Sequence, residues 1–296
     1  MPETAALPIL DLSEASRPQQ KRELLEQLHD ALFNVGFLYI KNHGVPPETI
    51  AALTSLLPAL FDQPNEAKAS LSKLNSPHFL GYSGFAEEVT LGQKDLREQF
   101  DFATELPVVY DPSPSAKNTR KGRDFSKLYY QLRGPNQWPS EASVPGFRKA
   151  YLEYHDELQA LSYRFVHLIE EAFGIPIGTF DAFFPQPSSA RDGAREPDVP
   201  PQHRIKLVKY PASQCDHARD EQGVGAHKDS SGWLTFLYQV GKEEGLEVLD
   251  PSGKWIPAPP VEDTFVVNFG NALEAATEGA IKATIHRVKA RASPSP

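Results

Sequence analysis

The chain has 296 residues, 40% of them hydrophobic and 23% charged, with a formal net charge of −9; it can build a sizeable core and lacks the clustered Lys and Arg of a general nucleic-acid binder. Its single cysteine, Cys215, excludes an intramolecular disulfide framework and any cage of several thiolates, and points to a reducing, cytoplasmic compartment. No apolar run approaches the roughly 18 residues that would cross a bilayer, the start Met1-Pro2-Glu3-Thr4 does not read as a secretion signal, and 27 prolines suit a loop-rich β protein better than a helix bundle.

Leu7-Pro8-Ile9-Leu10-Asp11-Leu12 reads as a short edge strand. From Gln19 to Asn34, Leu24, Leu25, Leu28, Ala31 and Leu32 recur at helical spacing; Pro18 stands in front and Gly36 stops the run. Phe37-Leu38-Tyr39-Ile40 is then a buried strand, and Asn42-His43-Gly44 a turn. Between Pro46 and Leu71, the apolar positions Ile50, Leu53, Leu56, Leu57, Leu60 and Phe61 mark a second amphipathic helix, interrupted at Pro58 and around Pro64.

Residues 75–143 are rich in Ser, Gly, Pro and Asp and read as loops around one or two strands. The longest helical pattern runs from about Val144 to Phe173, with Gly174 and Pro176 just past its end. Residues 185–202 are polar and proline-rich and predict a mobile loop. From Ile205 onward, runs such as Leu234-Thr235-Phe236-Leu237-Tyr238 and Thr264-Phe265-Val266-Val267-Asn268 alternate with Gly, Pro and Asp turns, the texture of a meandering or jelly-roll region. The expected architecture is mainly β with flanking α. A helix-and-strand flank over about 1–175 packs on a β core over about 203–290, in a single domain spanning 1–296.

Nine histidines raise the question of chemistry. His29, His155 and His167 fall inside helical patterns and read as surface or helix-face residues; His78 and His203 fall in loops, and His43 closes a turn. Cys215 and His217 are two apart, but two side chains on an acidic loop do not complete a metal site. His227-Lys228-Asp229 differs, because residues i and i+2 on a strand share a face and can converge on one ion while Lys228 points away. A third ligand could come from His286, in the β-branched run Thr284-Ile285-His286-Arg287-Val288. Two imidazoles and a carboxylate occupy one face of an octahedral ferrous ion and leave positions for a cosubstrate and O₂. Taken alone, such a pair with a distant histidine is as often incidental as functional.

The surrounding residues add to it. Val35-Gly36-Phe37-Leu38-Tyr39-Ile40-Lys41-Asn42-His43-Gly44-Val45 and Gly81-Tyr82 come early in the chain. Then follow Lys209-Tyr210-Pro211, Gly225-Ala226-His227-Lys228-Asp229, Gly245-Leu246-Glu247-Val248, Val267-Asn268-Phe269-Gly270-Asn271 and Ile285-His286-Arg287-Val288. In this order and spacing the sequence resembles the 2-oxoglutarate and Fe(II)-dependent dioxygenases of the isopenicillin N synthase-like group, over nearly its whole length. The resemblance implies a distorted jelly roll, a cupin-like double-stranded β-helix with N-terminal helices. It also implies His227, Asp229 and His286 as iron ligands and Tyr210 as a hydrogen-bond donor to the far carboxylate of 2-oxoglutarate.

Two departures stand out. The family's Arg-x-Ser strand, which grips that carboxylate, is expected nine or more residues past the histidine, whereas Arg291-Ala292-Ser293 comes five residues after His286 in a Pro- and Ser-rich tail. The chain is therefore expected to stop just short of the true motif. Val208 stands where the family has an asparagine. Three functions stay open: oxidation of a small organic molecule (hydroxylation, desaturation or ring chemistry) with Fe(II), 2-oxoglutarate and O₂; an Fe(II) oxidase on the same scaffold without 2-oxoglutarate; and a truncated, non-catalytic relative. Neither a nucleic-acid nor a membrane partner is expected.

Overall fold

In the computed structural model, which describes residues 6–113, 119–120, 123–184, 200–211, 222–230 and 232–290, the N-terminal flank follows its apolar spacing closely. A short strand β1 (Ile9–Asp11) leads to helix α1 (Pro18–Asn34), whose first residue is a proline and whose Leu24, Leu28, Ala31 and Leu32 are buried. Strand β2 (Phe37–Lys41) comes next. The 46–71 region breaks where its prolines require it, into α2 (Pro47–Thr54), α3 (Leu57–Phe61) and α4 (Asn65–Ser70).

The 75–143 region holds more strand than its composition suggests. It contains β3 (Gly81–Ser83), the hairpin β4 (Val89–Thr90) and β5 (Gln93–Lys94), the fully buried β6 (Glu98–Ala103), and a second hairpin, β7 (Thr119–Arg120) with β8 (Arg123–Asp124). Helix α5 (Phe147–Ala172) packs against α1 and α2. The remaining elements are β9 (Arg204–Lys209), β10 (Gln222–His227), β11 (Leu234–Leu237), β12 (Leu246–Leu249), β13 (Trp255–Pro257), β14 (Thr264–Phe269), helix α6 (Asn271–Ala276) and β15 (His286–Lys289). No helix among the described residues is long and apolar enough to cross a membrane.

The strands form one four-stranded sheet in the order β1-β2-β14-β11, another in the order β10-β15-β12-β13, and a three-stranded sheet β3-β6-β9. Period-2 alternation decides what lies between them. Leu38, Ile40, Phe265, Val267 and Phe269 join the large core shared with the helices, while Phe37, Tyr39 and Val266 point the other way and pack with Leu246, Val248 and Ile256 of the second sheet. Both faces of β2 and β14 are therefore buried, and each large side chain withdrawn from water contributes roughly 2–3 kcal/mol. The arrangement is a jelly-roll type of sandwich with helices on its outer side.

One seam fastens the two ends of the chain. Lys282 N–H donates to Leu32 O at 3.2 Å, and the Thr284 hydroxyl donates to Val35 O. Gly36 has φ +69°, and a Cβ there would meet Lys282 O, so the end of α1 fits against the approach to β15 only with glycine at the turn.

Candidate active site

β10 and β15 run antiparallel with His227 directly opposite His286, which brings the two imidazole centroids to 4.3 Å. Asp229 does not reach them by strand alternation. β10 ends at His227, the residue opposite the start of β15, and beyond it the chain has no ladder to follow. The chain turns there: Asp229 O accepts the N–H of Asn271 at the start of α6 (2.9 Å), and Lys228 reaches Glu274 of the same helix at 2.9 Å.

Each donor atom is oriented by a neighbour. His227 Nδ1 is 2.8 Å from Gly225 O and His286 Nδ1 is 3.1 Å from Thr284 O; these contacts place the protons on Nδ1 and leave both Nε2 lone pairs available. The Nε2 atoms lie 3.8 and 3.7 Å from Asp229 Oδ1. The other oxygen, Oδ2, accepts from the Thr235 hydroxyl at 2.9 Å and from Asn268 Nδ2 at 2.7 Å. Thr235 and Asn268 are themselves register partners on β11 and β14, and Asn268 shares the inward face of Val266. Burial first, and the neighbouring His227 second, hold His286 below the ordinary imidazole value against the pull of the Thr284 carbonyl and Asp229, so it is neutral at neutral pH.

Two imidazole nitrogens and one carboxylate oxygen thus lie within 4.8 Å of one another, the one group of this kind among the described residues. The donor set fits an octahedral ferrous ion held on one face. Phe37 packs 5.1 Å from the His286 ring and supplies an apolar wall.

Tyr210 follows β9, its ring lying where a Cβ on Gly223 would fall. The residue is 38% exposed, but its hydroxyl is the enclosed end: burial raises its ionisation above the ordinary phenol range although the adjacent Arg97 guanidinium opposes the rise. It therefore remains a donor. Arg97 belongs to a segment fastened along the free edge of β10. Leu96 N–H donates to Gln222 O at 3.0 Å, Asp95 Oδ1 accepts from Gly225 N–H at 3.1 Å, and Gln222 Nε2 is held by Thr90 O, Gln93 O and Asp95.

The other histidines have structural surroundings. His43 Nδ1 accepts from Val45 N–H, His78 is buried against Gln131 O, and His167 bonds Asp181 on the surface. His155 departs from its helix-face reading: it is 5% exposed and bonds the Thr104 hydroxyl. Cys215, His217, Arg291 and most of the 185–202 stretch lie outside the described residues. Sequence reading gave no role to Thr235, Asn268, Asp95 or Gln222. Asn268 carried a usable signal, as an amide inside the otherwise apolar run Phe265-Val266-Val267-Asn268-Phe269.

Comparison with known proteins gives the family and the fold. Residues 7–141 match the model described as non-haem dioxygenase in morphine synthesis N-terminal, and residues 202–295 match that of the 2OG-Fe(II) oxygenase superfamily. The 2-oxoglutarate-dependent dioxygenase frbJ of a Dothideomycetidae species is 39% identical over 96% of this chain and 69% of its own length. A 2-oxoglutarate-dependent dioxygenase of Gibberella zeae is 34% identical over 96% and 68%. Among solved structures, a full-length Neurospora crassa protein in complex with alpha-KG and thymine superposes with a TM-score of 0.76 at 23% identity, covering 100% of this chain and 83% of that one. The rice dioxygenase for auxin oxidation gives 0.64 at 26% identity, covering 97% and 79%.

Proposed function

The chain belongs to the 2-oxoglutarate-dependent dioxygenases, and from that premise we propose that His227, Asp229 and His286 hold its ferrous ion and that Tyr210 donates to the far carboxylate of 2-oxoglutarate. The protein is an Fe(II)- and 2-oxoglutarate-dependent oxygenase that oxidises a small organic molecule. When bound, the ion lets O₂ oxidise 2-oxoglutarate and substrate together, with succinate and CO₂ formed from the former. The chain's own part is aim and enclosure. The two Nδ1 contacts turn Nε2 inward, Thr235 and Asn268 leave one Asp229 oxygen to point at the imidazoles, and Phe37 keeps one side dry.

The observation that carries this assignment is the convergence of three differently positioned ligand atoms within 4.8 Å. In the same reading the flank and the β core work as one domain in the cytoplasm; the large core drawing on Leu24 and Leu28 of α1 as well as Phe265 and Phe269 of β14 supports the first part. His227→Ala and His286→Ala, each assayed beside His167→Ala, test the ligand assignment. After dialysis the first two should retain almost no iron and form no succinate from 2-oxoglutarate, while His167→Ala keeps both. Full iron retention in either triad variant would remove that histidine from the site.

A further inference from the structure

Three buried side-chain polar atoms have no hydrogen-bond partner among the described residues, and all belong to one patch: Ser83 Oγ, Arg97 Nε and Gln99 Oε1. Ser83 and Gln99 face each other across β3 and β6, each 1% exposed. Arg97 comes two positions before Gln99, at the entry to the same strand. An unpaired buried polar atom is destabilising, so its retention asks for a partner that the described residues do not supply.

The chemistry of that partner can be read from the patch. Gln99 Nε2 donates to Glu88 Oε1 at 3.1 Å and Asp101 Oδ2 at 2.8 Å. Two carboxylates cannot donate back, so the amide cannot be turned over and Oε1 is a true acceptor. Arg97 Nε offers an N–H, and the Ser83 hydroxyl offers an O–H. Charge is already balanced: Arg97 pairs with Glu88 (2.8 Å) and Asp95 (3.6 Å), Lys73 with Glu88 (2.8 Å), and Lys206 with Asp101 (3.8 Å), three cations against three carboxylates. An anionic or cationic group would arrive with no spare countercharge to meet it.

The patch also borders the oxygenase site. Asp95 and Leu96 are bonded to Gly225 and Gln222 of the strand that ends at His227, the Thr90 side chain fills the space beside Gly225, and Arg97 lies against Tyr210. Resting on the oxygenase reading above, we propose that Ser83, Arg97 and Gln99 form the subsite that recognises the substrate, and that the group recognised is a neutral amide-like unit. Its carbonyl oxygen accepts from Arg97 Nε–H and Ser83 O–H, and its N–H donates to Gln99 Oε1.

Saturation-transfer NMR on the full chain, loaded with Zn(II) and 2-oxoglutarate so that no turnover occurs, tests this with three probes: 2-pyrrolidinone, N-methyl-2-pyrrolidinone and butyrate. The lactam should bind in the millimolar range, and blocking its N–H or replacing it by the carboxylate should weaken binding about tenfold or more. Ser83→Ala and Arg97→Lys, the latter keeping the charge that Glu88 needs, should each weaken the lactam at least about fivefold. Ser83→Ala should not lower the melting temperature, because no bond to Oγ is lost. Equal binding of the three probes, tightest binding of butyrate, no lactam signal at tens of millimolar, or a destabilised Ser83→Ala protein would each overturn the proposal. The 2-oxoglutarate signal in the same tube separates two failures: its presence without the lactam sinks this subsite alone, and its absence sinks the oxygenase reading of the site beneath it.

Discussion

Two pairs of histidines come together among the described residues, and they do opposite things. His227 and His286 stand with ring centroids 4.3 Å apart, and His155 and His203 at 6.1 Å. In the first pair each Nδ1 is tied to a backbone carbonyl, and both Nε2 atoms face one carboxylate oxygen. In the second pair the Nε2 atoms are already engaged, His155 with the Thr104 hydroxyl and His203 with Tyr163. Burial drives His203 down to about 4 and lowers His155 as well, so both are neutral packing groups. Proximity of imidazoles does not identify a metal site. What identifies it is which nitrogen the surroundings leave unengaged, and whether a carboxylate shares the direction.

The sharpest way to break this contrast is to exchange losses between the pairs. His286→Ala should weaken iron binding more than about 100-fold while leaving the fold largely intact. His155→Ala should leave iron stoichiometry unchanged and cost about 1–3 kcal/mol of stability, since it removes a buried ring and one bond to the half-buried Thr104 hydroxyl, which still accepts from His203 N–H. Iron content after dialysis and urea unfolding on both variants check this; the same pattern in both would erase the distinction. Next in size is the clamp on Asp229. Thr235→Val and Asn268→Leu each remove one donor from Oδ2 and should weaken ferrous binding about 10-fold to 100-fold, measured by competition with a chelator. Wild-type affinity in both would show that Asp229 orients itself.

The pH dependence comes next. The folded value of His203, about 4, is below its unfolded value near 6.5, so between these limits the unfolded chain binds more protons. Its stabilising contribution is complete above about pH 6.5 and is lost as pH falls toward 4, a decline on the order of 1–3 kcal/mol. Chemical denaturation at stepped pH should show that decline in the wild type and a shallower one in His203→Gln; parallel curves would contradict it. The smallest effect is expected at Lys228, partly exposed and paired with Glu274 at 2.9 Å. Lys228→Met should change stability by less than about 1 kcal/mol, with a melting-temperature shift of a few degrees at most.

How legible these regions were in the sequence differs for physical reasons. The first pair could be read because the motifs around His227, Asp229 and His286 resemble a known family in order and spacing; the His-x-Asp pair and a later histidine alone did not decide it. Asp229 converges by another route, since the strand ends at His227 and the chain turns toward α6. The helices were legible because each buries one stripe, as Leu24, Leu28, Ala31 and Leu32 of α1 do. β6 was hidden, because Glu98-Gln99-Phe100-Asp101-Phe102 alternates as if one face met water, yet every residue of it is buried. Local alternation cannot tell a polar face turned to solvent from one turned into the molecule. The role of His155 was hidden similarly: position on a helix does not reveal the hydroxyl of Thr104 arriving from 51 residues away.

The seam between α1 and the approach to β15 bears on the order of events during synthesis. Thr284 reaches Val35 across 249 positions, so the contact that seats the strand carrying His286 closes a very long loop. Closure on that scale is slow, and it waits until the segment carrying Thr284 has emerged. β10 has β15 as its one ladder partner among the described residues, so His227 is seated together with His286 rather than before it, and iron taken up by the nascent protein would report the completion of this pairing rather than assist its beginning.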